Sequence, residues 1–301
     1  MLKKINYILN KNKKYISGSS FIVPALIFIF IFVIFPAILS ILLSFFKWKG
    51  YGSFVFVGFG NYIKMFTIDT NFKTALKNSL LYSIFVSFGT ILIGLFFAIV
   101  IDLKKRFYKI YRFIFFLSVI LPVAATGLLF SNLLDPYGLI NVILVKLGIA
   151  NMQNFPWMGD TRTAFFVIVL IEIWQFSGFP MIFFLAGMQN IDETIYESAL
   201  IDGASTITRI FKITIPLLKN VFSIIIILQI IFTFKVFDRI WIMTGGGPVG
   251  STEVLGTQLY QDAFRLGAFG YASVLATIMF IVAFIFSIIY TKISGYGKKF
   301  E

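Results

Sequence analysis

The sequence predicts an all-α integral membrane protein with six transmembrane helices. Both termini lie inside the cell (N-in/C-in), and a cytoplasmic helical segment joins the fourth and fifth spans. Three observations predict it. The 301 residues have a mean hydropathy of +0.93. Only 13% of them are charged, against roughly 25% in soluble domains. The Lys and Arg residues between the apolar stretches also fall unevenly on alternate loops, the asymmetry that orients a chain in a bilayer.

Crossing about 30 Å of hydrocarbon takes about 20 helical residues, and six stretches are that long. Residues 15–46, 78–101, 113–134 and 266–291 carry no charge; 163–191 carries only Glu172, and 220–243 only Lys235, Asp238 and Arg239. Their apolarity is continuous rather than alternating, which points to helices and not to the strands of a closed barrel. The expected spans are 21–46, 75–101, 110–134, 162–189, 220–243 and 268–291. They make one transmembrane domain, 21–291, between a cytoplasmic N-terminal segment, 1–20, and a cytoplasmic tail, 292–301. The first run is too long for the apolar core of a secretory signal, and no A-x-A-like site follows it, so it is expected to stay in the mature chain. Pro24 and Pro36 are expected to kink it or cap its ends.

Segments 1–20, 102–112, 190–219 and 292–301 hold 16 basic residues, while 47–74, 135–162 and 244–267 hold 7. The richer set is the cytoplasmic one. That bias, together with contact to anionic lipid, accounts for the net charge of +13, so nucleic acid is not an expected partner. The chain has no Cys and no His. This removes thiol nucleophiles, disulfides and nearly all zinc chemistry, and no paired carboxylates suggest catalysis or a metal site. In the outer loop, Leu139–Leu147 is apolar but too short to span. It is expected to lie at the interface, where Trp48, Trp157 and Trp241 also belong.

The mixed segment 196–218, YESALIDGASTITRIFKITIPLL, reads as two short helices with a bend. Asp192 can cap the first, with Glu193 and Glu197 favouring its N-terminal end. Ile195, Ala199 and Leu200 form its apolar stripe, and Gly203 can take the left-handed turn that ends it. Ser205 can cap the second helix, with Ile207, Ile210 and Phe211 on one side, and Pro216 is expected to break it before the fifth span. Ser198, Ala199, Gly203 and Ala204 are small enough to admit another backbone.

This segment resembles the EAA motif of permease subunits in ATP-binding-cassette importers: E-A-A, three residues, G, nine residues, I-x-L-P. Here Glu197-Ser198-Ala199 is followed at that spacing by Gly203 and then by Ile213-Thr214-Ile215-Pro216. Ser198 and Ile215 depart from the pattern. The resemblance implies a coupling helix that docks on an ATPase subunit, with Glu197, Ser198, Ala199, Asp202, Gly203, Ala204 and Pro216 at the contact. FVGFGNYIKMF (56–66), DPYGLIN (135–141), MTGGGPVGSTEVLGTQLYQDAF (243–264) and GYASVLA (270–276) are similar to loops of the first permease of maltose, lactose and glycerol-phosphate importers. The implied partners are a second related permease, a pair of ATPase subunits, an extracytoplasmic solute-binding protein and a sugar, with the chain resident in the plasma or inner membrane. No cofactor is implied on this chain; ATP and Mg belong to the ATPase. TGGGPVG lacks the Lys-Ser/Thr of a phosphate-binding loop, and Gly245, Gly246, Gly247 and Pro248 are expected to face the binding protein instead.

Polar groups inside the spans are the candidates for a pathway. Glu172 is costly at depth and should face the bundle or water; Gln175 is one turn on, on the same face. Phe176 and Phe179 lie beside them, and Gln229 is midway along the fifth span. Aromatic faces beside amide and carboxylate groups suit a sugar ring. Ser177-Gly178 with Pro180 suggests a local unwinding. Lys235 and Asp238 can pair on one helix face, with the Lys235 and Arg239 stems reaching toward the outer interface. An importer of this kind for a non-sugar solute is the near alternative. An ion-coupled secondary transporter is the distant one, since it calls for paired intramembrane charges and often inverted repeats.

Overall fold

The uncharged stretches form long helices in the computed structural model, which describes residues 22–103 and 108–294. The expected N-terminal segment, 1–20, and residues 295–301 of the expected tail lie outside the described residues. The chain divides into two compact units, Met1–Lys64 with Asp262–Thr277, and Met65–Gln261 with Ile278–Glu301.

In the first unit, helix α1 (Ile22–Leu43) is apolar on every side and none of its span is buried within the chain. A helix of that character takes lipid or another chain as its surroundings. One turn, Phe30–Ile34, is widened, with the Phe35 N–H reaching back to the Phe30 carbonyl. Pro36 follows at once. A proline cannot donate to the residue four back and its ring crowds that carbonyl, and the wider turn makes room, so the helix continues to Leu43. Strand β1 (Phe46–Lys47) then pairs antiparallel with β2 (Val55–Phe56), a small ribbon that departs from a purely helical chain. Gly50 and Gly52, at φ +88° and +75°, let the backbone reverse between them, and Trp48 stacks on Phe54 at 4.9 Å. Helix α2 (Gly60–Thr67) is fastened to the ribbon by Asn61 Nδ2, which donates to the carbonyls of Ser44 at 2.9 Å and Phe46 at 3.0 Å.

The second unit is built around the 34-residue helix α3 (Thr70–Leu103). Helices α4 (Tyr108–Ile120) and α5 (Val123–Leu133) follow, bent by 88° where they meet. The expected third span is therefore broken. Pro122 is extended there, at φ −59° and ψ 133°, and offers no N–H to bridge the gap. A short helix α6 (Leu139–Lys146) precedes α7 (Ala164–Phe176) and α8 (Gly178–Gln189), which run on as one span, Ala164–Gln189. Then come α9 (Glu193–Ile201), α10 (Thr206–Arg209), α11 (Lys219–Phe234), α12 (Asp238–Met243) and α13 (Leu255–Tyr260); α14 (Phe269–Ser294) belongs to the first unit as far as Thr277 and to the second from Ile278. Among the described residues, five spans are long and apolar enough to cross a membrane, or six when the bent pair counts as one.

Small residues set the packing. A Cβ on Gly94 of α3 would lie 2.8 Å from the Ser177 carbonyl oxygen and 2.9 Å from the Met181 nitrogen, so α3 and the α7–α8 span meet backbone to backbone. Three turns away along α3, the Ser83 and Thr233 hydroxyls bond at 2.8 Å and join α3 to α11. One apolar cluster gathers Tyr82, Phe165, Ile168, Ile240 and Val254. A second gathers Ala98, Met181, Phe184, Leu218 and Ile225. Gly94→Leu is expected to lower the unfolding temperature of the detergent-solubilised chain, at a cost of about 1–3 kcal/mol for overpacking. Leu92→Ala, at an exposed position of the same helix, should leave it unchanged.

Candidate functional site

Residues 192–217 fold as a closed, self-capped unit. Asp192 accepts the Thr194 N–H at 3.0 Å and its hydroxyl at 2.9 Å, starting α9, and these bonds hold the Asp192 carboxyl below its ordinary pKa. At the far end Gly203 is left-handed, φ +74°. Its N–H donates to the Leu200 carbonyl at 3.0 Å and the Ala204 N–H to that of Ala199 at 2.9 Å, the paired bonds of a Schellman stop. Ser205 Oγ then accepts the Thr208 N–H at 3.2 Å and caps α10. The Tyr196 and Thr214 hydroxyls bond at 2.9 Å and clamp the two helices together.

Pro216 does not break the second helix. As at Pro36, a widened turn precedes it, Ile210–Thr214, with the Ile215 N–H bonding the Ile210 carbonyl. The helix runs through Pro216 to Leu217 and pauses at Leu218. Of the expected contact residues, Ala199 is buried, Ala204 half-buried, and Glu197, Ser198, Asp202, Gly203 and Pro216 are exposed. A Cβ on Gly203 would find no atom within 4 Å. The apolar side chains around the bend are bare: Ile201 is 87% exposed and Phe211 66%, with Leu200 and Ile207 also open.

Inside the spans the structure assembles a buried polar group. Arg239, fully buried, forms an ion pair with Glu172 and donates to the Gln175 side-chain oxygen. That oxygen also accepts the Thr126 hydroxyl at 2.8 Å. Gln175 Nε2 in turn donates to the Leu121 carbonyl at 2.7 Å, a group freed by the break between α4 and α5. Arg239 therefore does not reach toward an interface as expected; its head is taken up inside the chain by Glu172 and Gln175. Lys235 and Asp238 do not share a helix face either: α11 ends before Lys235 and α12 begins at Asp238.

Beside this group lies a cavity of about 330 Å³. Glu172, Phe176, Phe179 and Gln229 all line it, together with Lys235, Asp238 and Arg239. Gln175 is not among the lining residues; it is wholly buried and braces the helices behind the wall. Ser177 stays helical, φ −62° and ψ −25°, so the expected unwinding there does not occur. Gly178 serves close packing instead: a Cβ on it would lie 2.5 Å from the Phe115 carbonyl oxygen.

The glycine loop is ordered by side chains beneath it. Gly245 and Gly246 are left-handed, φ +59° and +94°, and a Cβ on Gly246 would collide with the Glu253 carboxylate. Thr252 Oγ1 donates to the Gly247 carbonyl at 2.6 Å. Asn78 of α3 donates to the carbonyls of Ser251 at 3.1 Å and Glu253 at 2.9 Å. Burial raises the Glu253 carboxyl above its ordinary pKa, against the opposing bonds from Thr257 and Gln261. Val249, next to Pro248, is 97% exposed.

The family model described as the binding-protein-dependent transport system inner membrane component matches residues 90–295. A "probable ABC transporter permease protein" of Pyrococcus horikoshii is 39% identical over 93% of this chain and 96% of its own length. The trehalose/maltose transport system permease protein of Thermococcus litoralis is 31% identical over 93% of this chain and 94% of its own. In fold, the chain resembles a subunit of a bacterial ABC transporter involved in the import of the acidic polysaccharide alginate. The TM-score is 0.84 at 21% identity, with 97% of this chain and 99% of that one covered.

Proposed function

The chain belongs to the family of binding-protein-dependent transport system inner membrane components, and from that premise we propose that it is the permease subunit of an ATP-driven importer passing a sugar or sugar-like solute across the plasma membrane. It is a membrane transport subunit of the ABC class. In the proposed arrangement the transmembrane domain covers residues 21–291, N-in and C-in, with 1–20 and 292–301 in the cytoplasm. The chain hydrolyses nothing itself; ATP and Mg are held by a separate pair of ATPase subunits, and a second related permease completes the pathway.

The observation that carries this reading is the self-capped helical pair at 192–217, which leaves Leu200, Ile201, Ile207 and Phe211 bare around a left-handed glycine. Exposed apolar groups on a capped, hydrogen-bonded helical frame form a docking foot. Closure of the ATPase pair would draw such feet together and rock the spans, and Glu197, Ser198, Ala199, Asp202, Gly203, Ala204 and Pro216 would make or border the contact. The cavity lined by Glu172, Phe176, Phe179 and Gln229 would belong to the pathway, braced by Gln175. The loop at Gly245, Gly246, Gly247 and Pro248 would face an extracytoplasmic solute-binding protein. The sugar assignment rests on similarity to relatives named for sugar transport.

Affinity purification of this chain from its native membrane is expected to recover an ATPase and a second permease. Reconstituted with a binding protein, the complex should import a sugar at the expense of ATP. Import by this chain alone, driven by an ion gradient, would refute the proposal.

A further inference from the structure

The cavity is bounded by two charges of each sign, Glu172 and Asp238 against Lys235 and Arg239. Glu172 and Arg239 neutralise one another directly. Lys235 and Asp238 are the other two; both are exposed, and among the described residues neither enters an ion pair or a side-chain hydrogen bond. Lys235 opens the three-residue link between α11 and α12, and Asp238 is the first residue of α12. A cation at the end of one helix and an anion at the start of the next also suit the two helix dipoles.

We infer that Lys235 and Asp238 are specificity-determining residues that restrict the solute to an uncharged sugar. The inference rests on the sugar reading above and narrows it. An uncharged ring matches what faces the cavity. Asp238 accepts from hydroxyls, Lys235 donates to hydroxyl or ring oxygens, and the Gln229 amide does either. The rings of Phe176 and Phe179 meet the C–H face. A carboxylate or phosphate finds no surplus of positive charge here. It would leave water for a cavity walled by Phe176, Phe179, Phe232 and Phe237 with its desolvation uncompensated, and Asp238 would repel it.

The test uses the solubilised permease–ATPase complex without its binding protein, so that delivery does not filter the solutes. Saturation-transfer NMR is recorded with millimolar maltose and raffinose as uncharged probes and digalacturonate as the anionic one. Wild type is expected to bind an uncharged probe and not digalacturonate. Asp238→Asn is expected to weaken the uncharged probe about tenfold, the scale of one charge-assisted hydrogen bond, and to admit digalacturonate. Lys235→Met should weaken the uncharged probe without admitting the anion. Lys235→Arg and Asp238→Glu keep the charges and should keep the preference, which serves if the first variants unfold. A role confined to helix ends would lower the unfolding temperature and leave the ratio between probes unmoved; that result overturns the inference. So does unchanged binding in both neutralised variants, or a wild type that prefers digalacturonate. If wild type binds none of the probes and the full importer takes up no sugar, the sugar reading falls with it. Sugar uptake that the variants leave intact overturns this inference alone.

Discussion

Replacing Glu172 by Ala is expected to destabilise the folded chain by about 3–5 kcal/mol, because it strands a buried guanidinium. The Arg239 side chain is 0% exposed. Its remaining partners are the Gln175 amide oxygen and the Thr126 hydroxyl, the latter at 3.4 Å, and neither carries charge. Loss of the carboxylate therefore leaves a cation in low dielectric with dipoles only. Arg239→Met should cost less, since Glu172 retains 14% exposure toward the cavity and can recruit water. Glu172→Leu combined with Arg239→Met should recover most of the stability, as apolar replacement of a buried pair usually does. Unfolding midpoints of the purified complex decide this. A Glu172→Ala chain that melts with wild type would show that the pair does not hold α7 to α12. A double variant that is stable yet fails to import would instead place Glu172's main role in the solute cavity.

What the sequence could convey depended on the range of the interaction. The helical pair at 192–217 was legible nearly to the residue, because its determinants are local. Asp192 and Ser205 cap through bonds two or three residues away, and Gly203 is the residue that tolerates φ +74°. Pro216 misled because a proline after a widened turn need not end a helix, a backbone adjustment that residue type does not announce. The pairing of Glu172 with Arg239 spans 67 positions and depends on how α12 is turned after its break. A usable signal existed: an acid deep in one apolar run calls for a cation in another, and the run 220–243 offers Lys235 and Arg239. The true break in the third span was also written plainly, as Pro122 in mid-run. Ser177-Gly178 carries break-prone residue types for a different reason: Gly178 is small because the Phe115 carbonyl lies against it. The ribbon at Phe46–Phe56 escaped because its strands are two residues each, too short for any alternation to show.

Gly203→Leu is expected to separate ATP hydrolysis from import while leaving the chain inserted and folded. Two costs are in play, and the structure keeps them apart. The first is backbone strain: a side chain at φ +74° costs about 1–2 kcal/mol, which a chain of this size tolerates. The second is steric: a Cβ at Gly203 would meet no atom of this chain within 4 Å. Bulk at Gly203 is therefore directed at whatever sits over the bend between the bare Ile201 and Ile207. If that occupant is the ATPase, the introduced leucine side chain would hold the surfaces apart and weaken docking about tenfold or more, equal to about 1.4 kcal/mol. Gly203→Asn separates the two costs, since Asn accepts the left-handed conformation more readily than Leu while still adding volume. Coupling lost in both variants, with unfolding temperatures close to wild type, assigns the effect to the contact. Coupling lost with Leu but kept with Asn points to strain or to a looser fit at the bend, resolved by measuring ATPase affinity directly. Normal import by Gly203→Leu would remove the docking role from this turn altogether.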